Sequence, residues 1–254
     1  MVPGADSWLN SWLDPWLDLV AGGSCVGCRA PGRPLCPACA NQLPRRGHQV
    51  RPTPCPDGLA PCFAAGEYDD VLRAMILAHK EHAVLTLARP LGGVLAGVAG
   101  RFLPGEGTLS VLIPVPSRPE VVRRRGQDPM ARIAAAGARC LRRSGADVVV
   151  LPLLQVGAPV ADQAGLSAAA RAANLAGSMK VRPGRRTRLA RAGVPVSLFV
   201  CDDVLTTGAT AREAQRALEE SGLPVRAVLT VAATRRRVPP VMGPSPLPLS
   251  GFAD

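Results

Sequence analysis

The stretch Leu198–Leu218, LFVCDDVLTTGATAREAQRAL, constrains this chain more than any other. Leu198 to Cys201 is an apolar run, short enough for a buried strand. Asp202 and Asp203 follow as adjacent carboxylates, then the turn-rich Thr206-Thr207-Gly208-Ala209-Thr210. Beyond it Ala211, Ala214 and Leu218 are spaced for one helix face, and Gly222 stands where a helix terminator belongs. This order brings backbone N–H groups and threonine hydroxyls to a helix N-terminus, where a phosphate is stabilised. Carboxylates at a strand's C-terminal end can accept from the vicinal hydroxyls of a sugar or hold a hydrated Mg2+. A ligand with a phosphate on one side and a ribose diol on the other fits. The plain alternative is a strand-to-helix connection whose threonines only cap the helix. The hydroxyl-and-glycine loop behind Asp-Asp favours the ligand. No G-x-x-x-x-G-K-[ST] occurs, and no G-x-G-x-x-G follows a strand, which excludes the P-loop and dinucleotide-binding readings.

A second pattern lies near the other end. Cys25-Val-Gly-Cys28 and Cys36-Pro-Ala-Cys39 form C-x2-C-x7-C-x2-C, two knuckles able to close four thiolates around one tetrahedral Zn2+. A shell of four cysteines leaves no open coordination position, so the expected role is structural. The Pro- and Arg-rich stretch Asn41–Pro61 reads as a linker. Cys55 and Cys62, with His48, are read either as a degenerate metal pair or as a labile thiol pair or relics; no metal is expected there.

From Phe63 the pattern becomes globular. Tyr68–Lys80 reads as a turn entering an amphipathic helix, and Leu85–Ala99 as a second helix whose glycines allow close packing. Val111–Pro116 is a short strand stopped by prolines. Arg123, Arg124 and Arg125 then crowd one loop with Arg118, beside Gly126. Strand ends of that kind bind ligands in open α/β sheets, and clustered guanidiniums suit a pyrophosphate. A solvated basic face or a nucleic-acid patch is the alternative. A helix over Ile133–Leu141 and strands over Val148–Leu154, Val194–Cys201 and Val225–Ala232 follow. Between them lie Gln163, Ser167, Arg171 and Asn174, with Arg171 and Asn174 on one helix face, and an Arg-rich connection over residues 182–193 that includes Thr187.

The N-terminal 23 residues carry Trp8, Trp12 and Trp16 at helical spacing, apart from Pro15, and Asp6, Asp14 and Asp18 interrupt any apolar run. That stretch is neither a signal peptide nor a membrane span, and it is expected to dock on the chain's own core. A net charge of +11 favours polyanionic partners, pyrophosphate or nucleic acid, without deciding between them. The organisation expected is an amphipathic segment over 1–24, a zinc-knuckle region and linker over 25–62, the main domain over 63–237 and a disordered tail over 238–254. A cytoplasmic protein is expected.

The apolar-Asp202-Asp203-apolar-Thr/Gly turn resembles the 5-phosphoribosyl-1-pyrophosphate (PRPP) signature of class I phosphoribosyltransferases. With the four-cysteine knuckle, Tyr68–Lys80, Pro114-Val115-Pro116, Arg123-Arg124-Arg125-Gly126 and Gln163…Leu166-Ser167…Arg171…Asn174-Leu175 in this order, the chain resembles the ComF (GntX-related, amidophosphoribosyltransferase-like) family over nearly its whole length. That family's Arg-Gly-Phe-Asn-Gln stands here as Arg125-Gly126-Gln127-Asp128-Pro129. The resemblance implies a Rossmann-like parallel sheet flanked by helices, with a small zinc knuckle. It implies displacement at ribose C1 of PRPP with Mg2+–pyrophosphate leaving, an acceptor the sequence does not name, and a link to DNA uptake and the competence machinery. Thr206, Thr207, Gly208, Ala209 and Thr210 would hold the 5′-phosphate, and Asp202 and Asp203 the diol. Arg123, Arg124 and Arg125 would serve the pyrophosphate, and Gln163–Asn174, with Gln163 and Arg171, would form the hood. No residue stands out as a general base; Lys80 and Asp203 are carried as candidates. A non-catalytic PRPP-binding or nucleic-acid-handling protein is the alternative function.

Overall fold

In the computed structural model, residues 23–157, 177–185, 189 and 193–234 are described. The tryptophan stripe, Gln163, Ser167, Arg171, Asn174, Thr187 and residues 235–254, the tail included, lie outside them.

Cys36 opens a short helix, α1 (Pro37–Asn41), with its sulfur accepting from the N–H of Cys39. Strand β1 (His48–Val50) follows, then β2 (Cys62–Glu67), helix α2 (Asp70–Glu81), a 3-10 turn over Leu85–Leu87 and helix α3 (Ala88–Ala99). Next come β3 (Leu109–Pro114), α4 (Pro119–Arg125), α5 (Pro129–Arg143), β4 (Val148–Val150) and β5 (Leu154–Val156). The described chain ends with β6 (Met179–Val181), β7 (Val196–Leu205), α6 (Ala209–Glu219) and β8 (Val225–Ala233).

The main sheet has the order β1-β2-β8-β7-β3-β4. All its pairings are parallel except β1 with β2. Parallel strands are covered on both faces, which is why Val111–Ile113 and Leu198–Cys201 are buried without alternation. Successive residues still point to opposite faces. Leu112, Phe199, Cys201 and Leu229 pack with α2, α3 and α5, while Val111, Ile113, Leu198, Val200 and Val228 pack with α6, β5 and β6. Close helix contact is the use of one α3 glycine: a Cβ on Gly92 would lie 2.5 Å from the Ala136 Cβ of α5, whereas one on Gly97 would run into the Arg45 carbonyl oxygen of the preceding loop and one on Gly93 would meet nothing within 4 Å.

Several boundaries differ from the sequence reading, each for a physical reason. Strand β7 runs on through both carboxylates to Leu205, because β8 keeps pairing with it as far as Leu205↔Ala233. The apolar stretch 148–154 is not one strand: β4 belongs to the main sheet and β5 pairs antiparallel with β6 in a separate hairpin. The Arg123–Arg125 loop is the last turn of helix α4, started by Pro119 and ended by Gly126 in the left-handed region. The stretch read as a linker supplies edge strand β1 and is knit to the sheet through His48↔Ala64. Among the described residues, no helix is long and apolar enough to cross a membrane.

Candidate functional site

Strand order fixes where a site can lie. From β3 the chain crosses through α4 and α5 to β4 on one side, and from β7 it crosses through α6 to β8 on the other. The crevice between β3 and β7 is therefore the topological switch point, where open α/β sheets bind ligands beyond the C-terminal strand ends. Pairing of β3 with β7 stops at Pro114↔Cys201, whereas β8 follows β7 four residues further. Asp202 and Asp203 sit on that overhang, one toward each face of the sheet.

A cavity of about 540 Å3 opens there. Asp202 and Asp203 line it from the end of β7, Thr206 and Thr210 from the turn into α6 and its first turn, Lys80 and Glu81 from the end of α2, and Arg118 and Arg125 from the N-cap and the last turn of α4. Tyr68, Ile76, Leu77, Val115, Val121 and Met130 give it an apolar wall. Lys80 Nζ donates to Asp203 Oδ2 at 2.7 Å. Asp203 and Val204 turn their N–H groups back onto the carboxylates of Asp202 and Asp203, each at 2.9 Å. Burial, then the neighbouring Asp203 charge, pushes Asp202 up to about 7 against the pull of Lys80. Burial opposes the charge on Lys80, but the Asp203 carboxylate outweighs it and holds the ammonium above its ordinary range.

Gly208, at φ 72, is the N-cap of α6, and among the described residues no side-chain hydrogen bond caps that helix. The cap reading of the threonines is therefore not what the loop displays. Its first-turn N–H groups lie beside Thr206 and Thr210 at the crevice, a polar end suited to an anion. Thr207, Gly208 and Ala209 form the turn behind them and are not part of the cavity wall.

The three arginines separate. Arg125 lines the cavity and is ion-paired with Glu81, while Arg123 pairs with Glu120 at the surface and Arg124 is exposed. Asp128 is structural: it caps α5 through the N–H groups of Met130 and Ala131 and accepts from Ser117 N–H at 3.1 Å. Arg118, read in the sequence with the arginine cluster, does line the cavity, whereas Glu81 and Tyr68 are wall residues that spacing within one motif does not reveal. Their signal is position, at or just after the ends of elements reaching this edge of the sheet.

The base of the β5–β6 hairpin is tied to α6. Glu213, buried, accepts from Met179 N–H at 2.8 Å and from Arg216, which also donates to the Met179 carbonyl at 3.0 Å. Burial alone would raise that carboxyl, but the Arg216 hydrogen bond holds it below its ordinary range.

At the other end of the chain, the ligating atoms of Cys25, Cys28, Cys36 and Cys39 all lie within 4.8 Å of one another. Tetrahedral Zn–S bonds of about 2.3 Å place sulfurs about 3.8 Å apart, so the donor set fits a metal such as zinc. Cys36 N–H donates to Cys25 Sγ at 3.3 Å. Burial works to raise Cys25, but N–H donors of Cys28, Cys36 and Gly27 bring it down to about 6. Burial and the three surrounding thiols push Cys39 up to about 12. A cation among the sulfurs is what lets all four ionise together. Among the described residues, Cys55, Cys62 and His48 are not gathered in this way.

Comparison with known protein families finds none that matches this chain. No curated protein matches it either.

Proposed function

We propose that this chain is a phosphoribosyltransferase-like protein of the ComF kind, which binds PRPP with Mg2+ and transfers the phosphoribosyl group to an acceptor. The observation that carries the reading is one cavity at the switch point, walled by the β7 carboxylates at one position and by Thr206 and Thr210 at the next. Thr206, Thr210 and the α6 N-terminus would hold the 5′-phosphate, and Asp202 and Asp203 would accept from the ribose hydroxyls. Arg125 and Arg118 would face the pyrophosphate.

An incoming nucleophile forms a bond to ribose C1 as the C1–O bond to pyrophosphate breaks, and the electron pair leaves with the pyrophosphate. The transition state is oxocarbenium-like, so the protein's work is positioning and leaving-group neutralisation. A Mg2+ ion carried by the pyrophosphate would supply part of that neutralisation. Asp202, the carboxylate not paired with Lys80, would be the residue to hold it. Zn2+ in the four-cysteine set would be structural.

Purified protein given PRPP and Mg2+ should release pyrophosphate slowly, with water standing in for the acceptor. Absence of both release and binding removes the reading. A second reading, nucleic-acid handling, is favoured by Arg29, Arg33, Arg45, Arg46 and Arg51, exposed around and after the knuckle. DNA binding that falls steeply with salt and survives Asp202→Asn/Asp203→Asn would support it.

A further inference from the structure

The segment between β1 and β2 lies against the phosphate loop. A Cβ on Gly208 would stand 2.9 Å from Leu59 Cδ2, 2.9 Å from Pro52 Cγ and 3.3 Å from Pro56 Cδ. None of these three residues lines the crevice. Their strap is fixed in turn by side chains of α6. Gln215, buried, accepts from Ala60 N–H at 2.8 Å and donates to the Gly58 carbonyl at 2.9 Å and to Glu219 at 2.7 Å. Arg212 donates to the Asp57 carbonyl at 3.0 Å. The helix whose first turn faces the crevice thus uses its second turn to hold a distant strap against its own entry loop.

We propose that residues 52–60 are a backrest that presets the phosphate loop, and that Gln215 is a positioning residue for the 5′-phosphate, acting through Leu59 on Gly208. The inference rests on the phosphoribosyl reading of that loop. A glycine at positive φ has more backbone conformations open to it than any other residue, so a loop hinged on Gly208 needs an external constraint to keep its N–H groups converged. Leu59, Pro52 and Pro56 supply that constraint by occupying the space beside it. A loop ordered in advance binds without paying the ordering entropy on ligand arrival. Gln215→Leu leaves the Ala60 N–H and the Gly58 carbonyl without their partners, and the strap then exchanges the helix for water. Proline limits the strap's own freedom, so the constraint it passes on is stiff.

The test uses the full chain with Gln215→Leu and, separately, Leu59→Ala, which keeps every hydrogen bond of the strap. Calorimetry should show ribose 5-phosphate binding weakened about tenfold in each, with inorganic pyrophosphate binding unchanged. Amide hydrogen exchange, which needs no ligand, should rise at residues 206–210 while β3 and β8 stay protected. Equal loss for both ligands, or exchange rising across the whole sheet, overturns the proposal in favour of a purely structural contact. Unchanged exchange at 206–210 overturns it outright. If wild-type protein binds no ribose 5-phosphate, the phosphoribosyl reading fails and the exchange arm decides on the backrest alone. If Gln215→Leu does not fold, Leu59→Ala decides by the same measures.

Discussion

Lys80 Nζ stands 2.7 Å from Asp203 Oδ2, joining the end of α2 to the overhang of β7 across 123 positions of sequence. One of two adjacent carboxylates is thereby compensated. The other, Asp202, carries the burial and the repulsion, and burial is the larger cause of its upward shift to about 7. A free carboxylate at such a place costs stability, and a ligand that accepts its charge or donates to it restores what is lost.

That cost has a definite pH window. Asp202 moves from 3.8 to about 7 on folding, so between these values the folded chain holds a proton that the unfolded chain has released. Stability contributed by this group therefore falls as pH rises through the window, and the cost is fully present above pH 7. Asp202→Asn should stabilise the ligand-free protein at pH 8 by on the order of 1–2 kcal/mol, discounted for the partial exposure of the site. Its advantage should shrink to nothing near pH 4. Urea denaturation at the two pH values measures it; an advantage that grows toward low pH contradicts the assignment.

The arginine cluster should divide by function as it divides in space. Arg125→Ala should weaken PRPP binding by roughly tenfold or more while leaving ribose 5-phosphate binding nearly unchanged. Arg123→Ala and Arg124→Ala, which alter exposed guanidiniums, should change either ligand by less than about threefold at moderate salt. Parallel losses in all three variants would show that the cluster acts only as a general positive field.

The four-cysteine region should bind one metal ion per chain, with Zn2+ expected from protein purified without chelator. Chelation or Cys36→Ser should raise amide exchange over residues 24–41 first, since metal binding and folding are coupled in a unit this small. Val26 and Leu35 pack against the core cluster, and Val71 of α2 lies beside Gly27, so some loosening of α2 is expected too. The main sheet should keep its protection. Metal analysis showing no zinc contradicts the proposal.

Much of this was legible in the sequence because local signals agreed with the tertiary ones. The apolar run, the Asp pair and the Thr/Gly loop predict a strand, a turn and a helix, and they occur in that order at the switch point. Of the α3 glycines read as helix-packing residues, Gly92 is so used against α5, while Gly97 packs on the Arg45 backbone and Gly93 faces open space. What was hidden depended on partners far along the chain. Continuation of β7 through Asp202 and Asp203 is imposed by β8, and the break between β4 and β5 by β6. The arginines look equivalent in sequence, yet one helical turn sends Arg125 to the cavity and Arg123 and Arg124 to solvent. Proline and arginine made residues 41–61 look like a connection, because hydrogen bonds to Gln215 and Arg212 of a helix about 155 residues on leave no local trace.

The measurement closest to the central claim is a calorimetric titration of Mg2+–PRPP into wild-type protein and into Asp202→Asn/Asp203→Asn. A carboxylate accepts through both oxygens, whereas an amide of the same shape accepts through only one heavy atom. Loss of a charge-assisted hydrogen bond in a desolvated site costs roughly 1.5–3 kcal/mol. The double variant should therefore bind at least about tenfold more weakly. It should remain folded, because the two carboxylates repel each other and, among the described residues, their one ion pair is that of Asp203 with Lys80. Equal binding by both proteins, or no binding by the wild type, would contradict the phosphate-and-diol account of this crevice.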